Sequence, residues 1–398
     1  HGFLAGNLAY YVGGFHASWE LKEDETIGLT HPFYHDLRSR GVGMLDSQLA
    51  GSEHTGIGND YRGWEFYKDT RVLYGSVIIG DKVYKHPTPT RMIWRPDKMI
   101  CEYEINGVTI REEKFISAKD TAASIITSSE PITLRFEGHS FYVRHSVSSN
   151  ASVRYDSSTN SILIREGGTV RSLPDPDRPE RIGPCVYQGM TTALSSSKDF
   201  SKTLKLDQDD RGVWKYSFEI PCDSQGATLS WSMHDDENTA KNTGRETSLL
   251  APALLKEKTV EMNNILGQEI PQFRCSDSKF EDIYYYLWSL HMMYYINVQK
   301  GWEMENHTQS AVNNFLGIHR YDACFQIKVG AWARDKPRFA YGNVLTWKHL
   351  VVNGRYRETN DGHIFLSDNK GVGWHSGAYG GELAEHVLGA WQIYQHTG

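Results

Sequence analysis

One run places chemically useful side chains side by side: Asn313-Asn314-Phe315-Leu316-Gly317-Ile318-His319-Arg320-Tyr321-Asp322-Ala323-Cys324-Phe325-Gln326. An imidazole, a guanidinium, a phenol and a carboxylate occupy consecutive positions from His319 to Asp322. A helical pattern begins directly afterwards, so Asp322 is expected as the N-cap of a helix, facing the positive end of its dipole. A carboxyl group in that setting can bind a polar ligand or hand it a proton. The plainer alternative is that Asp322 only caps the helix and Arg320 is its surface partner.

Other runs offer partners. Gly371-Val372-Gly373-Trp374-His375-Ser376-Gly377-Ala378-Tyr379-Gly380-Gly381-Glu382 also precedes a helical pattern. Trp374 can serve as a platform for a sugar ring, with His375 and Glu382 as hydrogen-bonding groups. Equally, the run is a glycine-rich turn in which Glu382 helps to cap the helix. Trp302 stands between Glu303 and the preceding Gly301 in another polar loop, either lining the same mouth or simply solvated. Asn343 follows Gly342 and can hydrogen-bond a sugar or cap a helix. His319 has no second histidine at a ligand spacing, so a substrate-binding or structural role is expected, with no metal and no cofactor. The triplets Gly41-Val42-Gly43 and Gly371-Val372-Gly373 do not follow a buried strand as a dinucleotide fingerprint would. No Gly-x-Ser-x-Gly elbow is present, which argues against an α/β-hydrolase.

Composition narrows the partners. The chain has 398 residues and a net charge of -7, with no basic tract, which argues against a nucleic-acid partner. No apolar run approaches the roughly 18 residues of a membrane helix, so no membrane partner is expected. The 11 Trp and 22 Tyr lean towards carbohydrate, because flat rings with a polar edge stack on sugar faces; filling a large core is the other use of such rings. Five cysteines stand far apart, without a zinc spacing, and their odd number leaves a free thiol. The chain starts at His1, as a trimmed product would, and an exported protein that has lost its signal fits a secreted or periplasmic location.

The elements that must position these groups follow from periodicity. Arg71–Gly80, Met99–Ile105, Val108–Ile116, Ser161–Arg165, Gly212–Ile220 and Ala227–Met233 read as strands. Asn106-Gly107 is a strong hairpin signal between two of them. Thr121–Thr127 and Pro131–Phe136 are expected to pair across Ser128-Ser129-Glu130. Many antiparallel strands with frequent turns predict a β-sandwich domain over 1–248. Leu249 to Leu266 reads as a linker helix, closed by Pro271, within a connecting segment 249–274. Over 275–398 the period becomes 3.6. Phe280, Ile283, Tyr284, Leu287, Leu290, His291 and Tyr294 share one helix face. A second helix continues from Asp322 through Gln326 and Val329, a third carries Ala340 and Val344, and a fourth carries Leu383, Val387, Ala390, Trp391 and Tyr394.

A β-sandwich followed by such helices resembles the glycoside hydrolases that join an N-terminal β-sandwich to an (α/α)6 barrel. The motifs are similar to those of family 63 α-glucosidases, trehalases and the inverting disaccharide phosphorylases. In the first two groups the general-acid aspartate follows a Gly-rich run and an aromatic-Trp pair at a helix start. Here Gly317, an aromatic and Asp322 are kept, but Tyr321 stands where Trp is usual. Gly317, Arg320, Asp322 and Gln326 resemble the phosphorylase pattern, with inserted residues. The resemblance implies a multidomain β + α fold: an antiparallel β-sandwich, a linker helix, and helical hairpins opening an (α/α)6 barrel that is incomplete in this chain. It implies an inverting glycosidase acting on an oligosaccharide or polysaccharide, such as an α-glucoside, with Asp322 as general acid. His319, Arg320, Tyr321, Trp302, Asn343, Trp374, His375 and Glu382 would contact substrate. The catalytic base of those families would fall beyond Gly398. Three alternatives stand beside it: phosphorolysis of a disaccharide, a polysaccharide lyase using Tyr321 and His319, and a glycan-binding protein without turnover.

Overall fold

The structure, a computed structural model, describes residues 19–21, 27–29, 49–50, 52–54, 70–119, 121–140, 146–149, 151–171, 184–210, 212–234, 236–293, 295–296, 307–308, 320–334, 339–345 and 382–398. In chain order the strands are β1 (Trp19–Leu21), β2 (Ile27–Leu29), β3 (Ser52–His54), β4 (Thr70–Ile79), β5 (Lys82–Lys85), β6 (Arg91–Trp94), β7 (Met99–Ile105), β8 (Val108–Ile116), β9 (Thr121–Ser128), β10 (Ile132–His139), β11 (Ser146–Ser149), β12 (Ser152–Asp156), β13 (Ser161–Arg171), β14 (Pro184–Ser196), β15 (Lys205–Gln208), β16 (Trp214–Cys222), β17 (Ala227–His234), β18 (Tyr295–Ile296) and β19 (His307–Thr308). The helices are α1 (Glu237–Asn264), running into a π-helical turn at Ile265–Glu269, α2 (Ser278–Met293), α3 (Arg320–Gly330) and α4 (Glu382–Thr397). Residues 339–345 are also helical. Two compact units result: His1–Val12 with Asp36–Thr259, and Gly13–His35 with Val260–Gly398.

The first unit is built from antiparallel sheets. In the larger, β14, β17, β9, β8, β7 and β6 follow one another, and β13 adds to β14 with β11 and β12 paired to it. In the smaller, β15, β16, β10, β4 and β3 follow one another, with β5 on β4. Asn106 and Gly107 take φ of 50° and 80°, the left-handed values that a two-residue hairpin turn between β7 and β8 requires. The expected pairing of Thr121–Thr127 with Pro131–Phe136 does not occur. β9 pairs with β8 and β17, whereas β10 pairs with β4 and β16, so Ser129-Glu130-Pro131 carries the chain from one sheet to the other. The glycines after Arg165 do not end their strand: β13 runs on to Arg171 past a register shift at Arg165/Gly167. A bulge absorbs there what the sequence shows as a stop.

Period-two alternation sends Ile110, Glu112 and Lys114 of β8 to one face and Phe115 to the other. On the first face a polar cluster is fully buried. The Glu112 carboxylate accepts from Ala50 N at 2.7 Å, Tyr103 Oη at 2.9 Å and Ser124 Oγ at 2.6 Å, and Lys114 Nζ lies 3.4 Å away. Leu49 O meanwhile accepts from Gly75 N of β4 at 2.8 Å, so residues 49–50 bond to both sheets at once. On the opposite face, Phe115 and Ala123 pack on Ala251 and Leu255 of α1.

α1 starts well before the Leu249 expected from periodicity. Asp236 caps it, accepting from Thr239 N and Thr239 Oγ1 at 2.7 Å each. Its first half is polar or small because that half lies directly on the sheet. Ser230 Oγ and Ser232 Oγ donate to Gly244 O and Ala240 O at 2.6 Å, and a Cβ on Gly244 would meet Ser195 Oγ at 2.9 Å. The helical path ends at Ile270, which is extended (φ -95°, ψ 155°) ahead of Pro271, as a residue before proline prefers.

In the second unit β1 pairs with β2 and β18 with β19. One cluster joins Ile265, Ile270, Trp288, Ala333 and Phe339; another joins Ile327 of α3, Ala331 just after it, Ala340 and Ile393 of α4. Gly330 and Gly389 are the close approaches: an added Cβ would meet Phe339 backbone at 2.7 Å and the Ile327 side chain at 2.8 Å. The faces that periodicity marks as apolar are packed only in part, at Tyr284 and His291 of α2 and at Ala340. Phe280, Ile283 and Leu287 of α2, Val329 of α3, and Val387, Trp391 and Tyr394 of α4 are exposed, while Tyr284, Trp288, Ile327 and Ile393 pack inward. These helices carry apolar residues on more than one side. Among the described residues, no helix is long and apolar enough to cross a membrane.

Candidate functional site

α3 opens at Arg320, so Asp322 lies two residues inside the helix and not at its N-cap. The polar run itself supplies the first turn, where backbone N–H groups lack intrahelical acceptors and an anion is favoured. Ala323 and Ile327 on the inner side of α3 are fully buried and fix how the helix sits in its unit. His319 lies outside the described residues, and Arg320, Tyr321 and Asp322 are described as helical backbone.

One helical turn after Asp322 on the same face comes Gln326. Its Oε1 accepts from Asn343 Nδ2 at 3.3 Å. Asn343 is fully buried and binds Thr308 twice: Oδ1 accepts from Thr308 N at 2.9 Å and Nδ2 donates to Thr308 O at 2.9 Å. Thr308 Oγ1 donates to Phe339 O at 3.1 Å. The sequence allows Asn343 a sugar contact or a cap. In the structure its amide ties three stretches together: the β18–β19 ladder, the helical residues 339–345, and α3. Nothing in the sequence separated this use from a cap or a ligand contact, because all three ask for the same short amide.

That clamp bears on the remaining candidates. Trp302 falls in the connection between β18 and β19, outside the described residues, and Thr308 anchors the far end of that connection. Trp374 and His375 also lie outside the described residues. Glu382 is the first residue of α4, a placement that suits a first-turn acidic residue. α4 approaches α3 at Gly389 against Ile327. The structure therefore joins the segments bearing Asp322 and Asn343 through described bonds. Among the described residues no group of three or more His, Cys, Asp or Glu side chains is arranged to hold a metal ion.

The burial of one charged pair escaped sequence reading. Glu112 and Lys114 look like surface charges in an alternating strand, yet their even-numbered register, shared with Ile110, puts them inside. Burial and the adjacent Glu112 charge hold the Tyr103 phenol well above its ordinary range. His291, on the inner side of α2, sits between the rings of Trp288 and Phe339 at 5.8 and 6.0 Å, and burial pushes its pKa down to about 4.

No family model matches the chain, and no curated protein matches it. Among solved structures, a protein described as a kojibiose phosphorylase from the human microbiome is similar over 84% of this chain and 46% of its own, at 12% identity and a TM-score of 0.47. A glycosyl hydrolase of the gh92 family is similar over 98% of this chain and 55% of its own, at 11% identity and a TM-score of 0.47. The chain thus spans about half the length of these two structures. Likenesses at this level carry nothing about its chemistry.

Proposed function

We propose that this chain belongs to an inverting glycoside hydrolase in which Asp322 is the general acid, its helices forming part of an (α/α)6 barrel. The observation that carries the reading is the placement of Arg320, Tyr321 and Asp322 in the first turn of α3. An inverting enzyme protonates the glycosidic oxygen from one carboxyl group. A second, ionised carboxylate activates water on the opposite face, the two standing roughly 6.5–9.5 Å apart. A helix N-terminus favours the charged form of Asp322 and so opposes this duty. Desolvation by bound substrate has to outweigh the dipole, raising the pKa until the proton is held for transfer. Arg320 then serves best directed at substrate hydroxyls, because a guanidinium beside the acid would strip its proton. Tyr321 and His319 supply hydrogen bonds, and Trp302, Trp374, His375 and Glu382 complete the substrate contacts. A secreted or periplasmic location suits an enzyme that meets oligosaccharides there.

The test is turnover of the whole protein and its Asp322→Asn variant on a glycan panel, with and without phosphate, reading product anomers by NMR. Loss of a general acid costs roughly 10²- to 10⁴-fold in rate. Inverted products that fall by that factor are expected. Undiminished activity in the variant sinks the assignment of Asp322. A strict phosphate requirement makes the protein a phosphorylase, and unsaturated products make it a lyase.

A further inference from the structure

A cavity of about 720 Å³ opens in the second unit at the opposite end of α3 from Asp322. Eight residues of helix separate Asp322 from Gly330, on the order of 12 Å at 1.5 Å per residue. The cavity's wall combines the C-terminal ends of α3 and α4 with the turn after α1, and includes Gln268, Trp332, Arg334, Tyr341 and His396. Trp332 is 60% exposed. Its ring lies against His396, with centroids 4.4 Å apart and planes tilted by 56°, so the indole is propped from one side and open on the other. A large indole left open at a cavity mouth is a platform for a flat apolar face. Helix C-termini present carbonyl acceptors and partial negative charge, which disfavours an anion. The amide of Gln268, the phenol of Tyr341 and the imidazole of His396 on the same wall supply both donors and acceptors, which suits a ligand with one apolar face and many hydroxyls.

We propose that this cavity is an auxiliary binding site for a neutral glycan, with Trp332 as its stacking platform, separate from the site at the start of α3. The choice of a glycan rests on the glycosidase reading above; the cavity and its platform do not. Gly267 lines the same cavity, and a Cβ added there would meet nothing within 4 Å, so Gly267→Gln narrows the cavity without touching the platform.

The experiment is a titration of the full chain, carrying ¹⁵N-labelled tryptophan, with maltose, cellobiose and α-1,2-mannobiose up to about 20 mM, a range that reaches millimolar Kd values. The indole N–H of Trp332, identified by its loss in Trp332→Phe, is expected to shift with at least one disaccharide. Trp332→Ala should weaken that binding about tenfold or more, the loss of roughly 1.4 kcal/mol of stacking, as followed at the remaining resonances and by calorimetry. Gly267→Gln should weaken it as well, while Trp332→Phe and Trp391→Ser bind within about threefold of the parent, under 0.7 kcal/mol. The proposal is overturned if no disaccharide moves the Trp332 signal, or if Trp332→Ala and Gly267→Gln both leave affinity unchanged. Turnover separates the two readings: glycan cleavage without this binding removes only the auxiliary site, and binding without cleavage removes only the hydrolase.

Discussion

Two tryptophans show how differently the units of this protein treat apolar surface. Trp231 in β17 is fully buried, whereas Trp391 in α4 is 54% exposed. The same contrast holds for their neighbours. The sheets enclose Phe136, Phe200 and Phe218 in ring contacts of 5.5 and 4.4 Å, while α2 leaves Phe280 and Leu287 exposed. The sheet unit even closes over a charged pair. The helical unit buries Trp288, Phe339 and Ile327 but also leaves bulky residues outward, and its elements approach one another closely at Gly330 and Gly389. A unit of the first kind spends its tolerance inside, so its most damaging substitutions are internal and polar. In the second kind, side chains at close approaches matter more than large residues.

The largest effect is expected from Glu112→Leu. It removes the carboxylate 3.4 Å from the fully buried Lys114 ammonium and the acceptor for Ala50 N, Tyr103 and Ser124. Breaking a buried pair on one side typically costs about 3–5 kcal/mol. Hydrogen exchange across β7, β8 and β9 should speed up accordingly, with α2 unaffected. A cost below about 1 kcal/mol would mean that the cluster is solvated in solution and that the enclosed character of the sheets is wrong.

In the helical unit the corresponding sensitivity is to acid. His291 has a folded pKa of about 4 against an ordinary 6.5, because burial disfavours its charged form. The unfolded chain therefore takes up the proton first as pH falls. Stability is full above pH 6.5 and drains away between 6.5 and 4, by up to about 3 kcal/mol, at 1.36 kcal/mol per pKa unit. His291→Phe should flatten that part of the stability profile, measured by exchange of α2 amides across the pH range. An unchanged profile would place His291 in water.

Gly330→Ala comes next, at about 1–3 kcal/mol. The new methyl would sit 2.7 Å from Phe339 C and 2.8 Å from Phe339 O, which are backbone atoms and cannot rotate away. The helical residues 339–345 would have to shift, and with them the Asn343 clamp on Thr308 and Gln326. Loss of glycan turnover in this variant alongside the stability loss would link that clamp to the chemistry at the start of α3; stability loss alone would leave it a packing device.

How much of this was legible beforehand divides along the same line. Strand alternation and Asn106-Gly107 located β4, β7, β8, β9, β10, β13, β16 and β17, since a half-buried strand writes its burial directly into its sequence, but missed others, the long central β14 among them. Partnership was harder: β9 and β10 adjoin in sequence but lie in different sheets, and a three-residue connection serves a hairpin or a crossing equally well. The first half of α1 was unreadable as helix because close packing on β14 and β17 demanded Gly244 and small polar residues, which lower helix propensity. For α2 and α4 the apolar stripe was visible, yet packing took only part of it: Tyr284 and His291 face inward on α2, while Phe280, Leu287, Trp391 and Tyr394 are exposed. When a helix is apolar on two sides, periodicity finds the helix and cannot choose its partner. At the candidate site, Asp322 at the beginning of a helix was legible from the polar-to-periodic change, with an error of two residues in where the helix starts. Asn343 was not, because its partners come from distant segments.

The smallest expected effect tests the contrast most directly. Trp391 stacks on Tyr394 at 5.4 Å, one turn along α4, and both rings are exposed. If that face meets water in solution, Trp391→Ser loses only an exposed intrahelical contact, and stability should change by no more than about 0.5 kcal/mol. Solubility should improve, since a contiguous apolar patch is a liability in water. Urea unfolding followed at α4 amides measures the first effect and light scattering the second. A loss above about 1.5 kcal/mol would be a buried-residue cost. It would mean that α4 is covered on its Trp391 side as well as at Ile393, and the two units would then differ in which surface encloses their apolar residues and not in whether one does.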